Sequence, residues 1–216
     1  MKNKLLVLTL LSTVAIGASA QSSFEGAYGQ VGIGYESLSP SFSGGTITPG
    51  TNSPAGTSYS ASSSNINSFA GNLGIGYNFA VTNTFLLGVG VDYSPIKSSK
   101  QTVTVNVSGY EPGSSKYGNQ NTYNIFLTPG FVIDKDKLAY AKVGYSGSQL
   151  KADGESSTNF SGYLLGLGYK QIISGGLYGF GEVNYTSYGE KNFAADATGT
   201  VKFNTTNILV GLGYKF

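Results

Sequence analysis

Histidine, tryptophan, cysteine and arginine are all missing from this 216-residue sequence. Without cysteine there are no disulfide staples and no thiolate metal site. Without histidine the commonest general base and metal ligand are gone. The many Ser and Asp residues in polar stretches therefore have no imidazole to activate them, and they read as solvated loop residues. Asp134 and Asp136 alternate with Lys135 and Lys137, as in a charged turn. No catalytic, cofactor-binding or metal-ligating residue is assigned, and the chain is not expected to be an enzyme. Charge is sparse as well, with 13 basic residues, every one a lysine, against 11 acidic. Setting aside Lys2 and Lys4 leaves a formally neutral chain, which has no electrostatic footprint for nucleic acid.

Long apolar runs are scarce. The one present, Leu5 to Ile16, is broken by Thr9, Ser12 and Thr13, and falls short of the roughly 20 residues a spanning helix needs. Lys2 and Lys4 precede it and Ala18-Ser19-Ala20 follows, the layout of a secretory signal peptide. Residues 1–20 are expected to be cleaved, leaving a single domain, 21–216, that starts at Gln21; an uncleaved anchor is the alternative. Low bulk hydropathy does not exclude a membrane protein, because a spanning strand needs only about 10 residues of alternating polarity.

Glycine and tyrosine are abundant, with 32 and 16 copies. They concentrate in eight runs of period-two polarity. Val31, Ile33 and Tyr35 share one face of the first run. Later runs place Phe69, Leu73, Ile75, Tyr77 and Phe79, then Phe85, Leu87, Val89, Val91 and Tyr93, on a common face. Tyr123, Ile125, Leu127, Phe131 and Ile133 follow; then Val143 and Tyr145; then Tyr163, Leu165, Leu167 and Tyr169. Leu177, Val183 and Tyr185 belong to the seventh run, and Ile208, Val210, Leu212, Tyr214 and Phe216 to the last. None of these faces carries a charge. The opposite faces hold Glu36, Asp92, Lys142, Lys170, Glu182 and Lys215. A lipid-facing lysine at the bilayer midplane costs roughly 2 to 4 kcal/mol, so these six charges are expected to face a lumen. They would form either a closed ion-pair network or a polar path for a small solute, and the narrow interior of a small barrel suits the network.

The pattern predicts an all-β fold, an eight-stranded antiparallel up-and-down transmembrane β-barrel. Short turns are expected at Ala80–Asn83, Asp134–Lys137 and Ile172–Gly175, and long extracellular loops at about 37–67, 95–121, 147–158 and 189–202. Gln101 to Val107 also alternates; a hairpin extension above the membrane is the preferred reading and a ten-stranded barrel the alternative. Pro129, on the outer face, removes a ladder donor and predicts a bulge or local irregularity.

Gly-x-Gly-Tyr recurs at Gly32–Tyr35, Gly74–Tyr77, Gly166–Tyr169 and Gly211–Tyr214. Inward glycines relieve crowding in a narrow lumen, and outward tyrosines suit a membrane–water boundary. Tyr35, Tyr93, Tyr145 and Tyr185 are expected at the outer boundary, and Tyr77, Phe131, Tyr169, Tyr214 and Phe216 at the inner one. No Gly-Lys-Ser/Thr ending makes these glycines a phosphate loop.

The chain stops at Phe216, with Tyr214, Leu212, Val210 and Ile208 at every second position before it. With the signal peptide and the Gly-x-Gly-Tyr strands, this ending resembles the small bacterial outer-membrane β-barrel superfamily of opacity-protein and porin-like outer membrane proteins. The resemblance implies residence in the outer membrane of a Gram-negative bacterium, in contact with its lipid. It implies biogenesis through periplasmic chaperones and the barrel assembly machinery, with Ile208, Val210, Leu212, Tyr214 and Phe216 as the assembly signal. The expected function is a structural or surface-interaction role, with a surface ligand met through the loops. A narrow porin-like passive channel for small solutes is the alternative, and a secreted β-rich surface protein is a third.

Overall fold

The computed structural model describes residues 22–46, 57–152, 157–194 and 197–216. The expected signal peptide, residues 1–20, lies outside them, as do parts of three expected loops. Twelve strands follow in order: β1 Gly26–Phe42, β2 Gly45–Thr46, β3 Ser58–Ser63, β4 Ile66–Ala80, β5 Phe85–Ser94, β6 Gln101–Val107, β7 Gly113–Asp134, β8 Lys137–Ala152, β9 Thr158–Ser174, β10 Leu177–Tyr188, β11 Lys191–Ala194 and β12 Ala197–Lys215.

Eight of them close a ring, β1–β4–β5–β7–β8–β9–β10–β12–β1, and all its pairings are antiparallel. The seam joins β1 to β12 from Tyr28 opposite Lys215 to Phe42 opposite Val201. Closure gives every strand two neighbours, the condition for satisfying backbone polar groups in lipid. Short turns join β4 to β5, β7 to β8 and β9 to β10 at one end. The third, expected at Ile172–Gly175, is confined to Gly175-Gly176, where Gly175 supplies the positive φ of 56° that a tight turn needs.

The remaining four strands lie toward the other end, where the long loops were expected. Much of that sequence is strand: β6 pairs with β7 and β3, β3 with β2, and β11 with β12. Residues 101–107 thus form the hairpin extension and not a ninth and tenth ring member. β3 and β6 continue the wall past the ends of β4 and β5. Tyr59 ties this wall to β12 by donating its hydroxyl to the Thr198 carbonyl at 2.9 Å, and Thr198 Oγ1 accepts the Thr46 N–H at 3.0 Å.

The expected loops hid these strands because their polarity is inverted. Below, apolar residues face outward to lipid. Above, Leu38, Ile66, Tyr117, Phe160, Tyr188 and Phe203 point inward and form one buried cluster, while Ser37, Asn159, Ser161 and Lys202 lie toward solvent. A search for outward apolar faces passes over such strands.

Pro129 marks a local irregularity, a gap in the ladder, and not a bulge. The β7–β8 register is the same at Leu127–Val143 and Gly130–Tyr140, and only the pairs of Thr128 and Pro129 drop out. Loss of one donor does not add a residue to the strand. The register shifts lie elsewhere, between Gln120 and Tyr123 and between Val132 and Asp134.

Candidate functional site in the barrel interior

Along its axis the interior is filled in three layers. At the turn end Phe24, Leu86, Leu138 and Tyr140 pack together. At the extension end lies the Leu38–Phe203 cluster, with Leu38 fully buried. Between them sits a charged layer.

Its centre is Lys142 on β8. The ammonium lies 2.9 Å from Asp92 Oδ2 of β5 and 3.1 Å from Glu182 Oε2 of β10, and all three side chains are buried. Asn124 donates to the other Asp92 oxygen, Tyr140 donates to Glu182 Oε1 at 2.6 Å, and Asn184 donates to Glu182 Oε2 at 3.1 Å. The Lys142 ammonium also faces the Phe126 ring at 4.1 Å. Taking charges out of water costs several kcal/mol per ion, so a cluster like this holds together only with such partners.

Lys170, on β9, is equally buried but has no carboxylate within ion-pair distance among the described residues. Its ammonium instead faces Tyr28, Tyr178 and Tyr140 at 3.9, 4.9 and 5.3 Å from the ring centroids, a cation–π cage. In formal charge Lys142 and Lys170 balance Asp92 and Glu182. Tyr140 joins the cage to the ion cluster, and Tyr178 is steadied by donating to Gln30 Oε1 at 3.1 Å.

The repeated glycines are the seats of these rings. A Cβ at Gly76 would overlap Tyr28, at Gly168 it would overlap Tyr140, and at Gly213 it would overlap Tyr178. Gly32 and Gly211 make room for Phe180 in the same way. Each of these five glycines thus receives a ring from another strand.

The six charges expected inside therefore divide. Asp92, Lys142 and Glu182 are brought together. Lys170 is housed apart, although the sequence expectation grouped it with the pairing charges. Glu36 lies farther toward the extension, where Asn119 donates to it at 3.2 Å. Lys215 is half-buried at the turn end, beside Gly26 and opposite Tyr28. Sequence reasoning missed the extension cluster. Its signal was bulky apolar residues scattered in and beside the polar connectors, such as Leu38, Ile66, Tyr117 and Phe160.

On the outside, Tyr35, Tyr93, Tyr145 and Tyr185 are exposed toward the extension, and Tyr169, Tyr214 and Phe216 toward the turns; Tyr77 is half-exposed and packs on Phe79 at 4.6 Å. Ile208, Val210 and Leu212 share the outward face of β12. At the turn joining β7 to β8, the Lys135 N–H at 2.7 Å, with help from Lys137, holds the Asp134 carboxyl below its usual range.

The chain matches the outer membrane protein beta-barrel domain over residues 6–216. It is 37% identical over 86 residues to a 25 kDa outer-membrane immunogenic protein of Brucella abortus. That stretch covers 37% of this chain and 39% of the relative, so the match spans about two fifths of the relative's length. Among solved structures, Neisserial surface protein A superposes with a TM-score of 0.51 at 17% identity, covering 89% of this chain and 98% of that one. OprG from Pseudomonas aeruginosa gives a TM-score of 0.48 at 14% identity, covering 89% and 96%.

Proposed function

The chain belongs to the outer membrane protein beta-barrel domain family, and from that premise we propose that it is a sealed barrel acting at the cell surface through its β-structured extension. It sits in the outer membrane of a Gram-negative bacterium. Residues 1–20 are its cleaved export signal, and the extension with its connectors meets an extracellular partner.

The observation that carries this reading is the filled interior. A solute would have to pass the Leu38–Phe203 cluster, the Lys142 ion cluster and the Phe24–Leu138 layer in turn. Each layer is packed with buried side chains, whereas the extension presents hydroxyl- and amide-rich outer faces to solvent. The Brucella relative's description as immunogenic accords with surface exposure. A catalytic role has no support, since Asp92 and Glu182 are both ion-paired to Lys142 and the sequence holds no histidine.

One observation favours a narrow channel. The buried side-chain oxygens of Asn72, Asn124, Asn184 and Asn204 have no protein hydrogen-bond partner, as in the wall of a water file. Planar-bilayer recording separates the two. The sealed reading expects a quiet bilayer at any protein density. Discrete openings that change on Lys142→Ala would overturn it in favour of the channel.

A further inference from the structure

We propose that the lipid-facing wall carries a binding site for a phosphorylated glycolipid of the outer leaflet, built by β1, β4, β5, β7, β8 and β9 with Lys191 of β11. Two depressions adjoin there and share Tyr93 and Tyr123. The upper, about 560 Å³, is lined by the amides of Asn121, Gln149 and Asn159, with Lys191 among its lining residues. The lower, about 700 Å³, runs along the outward apolar side chains of Leu73, Ile75, Val91 and Ile125. Tyr93 belongs to the outer aromatic boundary, and Tyr123 pairs opposite it at the same height. The site is thus polar above the water line and apolar below it, the division of an amphiphile, and both volumes fall in the usual range of ligand sites.

Local backbone features build both halves. Asn121 has a φ of 53°, the one positive value of a non-glycine among the described residues, at the register shift that precedes Tyr123. Such a conformation costs about 1 kcal/mol or more, and it persists where surrounding structure holds it. Here Tyr93 donates to Asn121 Oδ1 at 3.1 Å and Asn121 donates to Gln149 Oε1 at 2.7 Å. The result is a fixed row of tyrosine hydroxyl and two amides. Gly147 lets the Tyr123 ring lie over the backbone, and Gly29, opposite Ile75, leaves the lower groove open because nothing stands within 4 Å of where its Cβ would be.

The chemistry selects the ligand. Tyrosine ring faces suit sugar rings, and amides pair with sugar hydroxyls in both directions. Lys191, exposed and without a carboxylate partner among the described residues, suits a phosphate. A phospholipid would offer the phosphate and chains but no sugar for the amide row.

The test is titration of the detergent-folded full protein with bisphosphorylated lipid A, followed by native mass spectrometry. The other arms are dephosphorylated lipid A and phosphatidylglycerol of equal chain length. The expected result is a one-to-one adduct that weakens about tenfold without the phosphates, the worth of one charge-assisted hydrogen bond. Lys191→Ala should erase that difference, and Asn121→Ala should weaken both forms of lipid A alike. Lys135→Ala, which removes the same charge at the opposite end, should change nothing. Heat-modifiable gel mobility checks that each variant is folded. Equal binding of phosphatidylglycerol, equal effects of Lys191→Ala and Lys135→Ala, or no adduct would each overturn the proposal.

Discussion

Lys142 pairs with two carboxylates at once, so its loss leaves Asp92 and Glu182 buried without their ion-pair partner. Lys142→Met is expected to cost about 3 to 5 kcal/mol, the range for breaking a buried pair from one side. The triple variant Lys142→Met, Asp92→Asn, Glu182→Gln should recover most of it. Urea unfolding from lipid vesicles measures both, and an unchanged midpoint in the single variant contradicts the role given to Lys142. The glycine seats make a second prediction. Gly168→Ala must push the Tyr140 ring off its place and away from Glu182, for about 1 to 3 kcal/mol. Gly113→Ala meets nothing within 4 Å and should leave the unfolding midpoint where it is. Inward placement of Asp92, Lys142 and Glu182 was legible from alternation alone, because ionised groups avoid lipid. Which charge meets which was not legible. That depends on how β5, β8 and β10 face one another across the lumen, and period-two reading orders residues only along a strand.

Strand positions and the ring order were legible wherever an outward apolar face met lipid. Strand ends were not. β1, β8, β9 and β12 run on into stretches rich in Ser, Thr and Asn, where water replaces lipid outside and the apolar side chains turn inward. The inner cluster there is a separate core. Phe203→Ala, removing a fully buried ring stacked at 4.3 Å on Tyr188, carries a cost of about 3 to 5 kcal/mol. That loss should fall on the extension. Limited proteolysis is expected to cut within residues 37–67 or 95–121 while the heat-modifiable barrel survives; loss of the barrel itself would show that the two cores are one. Phe216 acts at the other end of the seam, where its N–H donates to the Ala27 carbonyl at 2.9 Å and its ring is 77% exposed. As an assembly signal, Phe216→Ala should lower the amount of barrel inserted in cells with little change in its stability once folded. Equal insertion would remove that role.

For the whole molecule, processing is the simplest expectation to check. The mass of protein recovered from outer membranes should correspond to a chain starting at Gln21, and a retained leader would contradict the cleavage reading. The polarity inversion has a further consequence for the molecule in its bilayer. A barrel with a purely polar crown could ride up or down by a few ångströms as hydrocarbon thickness varies. Here each long strand changes sides at a set height, so vertical displacement would sink hydroxyls and amides into acyl chains or lift isoleucines and leucines into water. The protein is pinned in depth, and mismatch must be met by the lipids stretching or compressing around it. Spontaneous insertion should therefore show a sharp optimum in acyl-chain length.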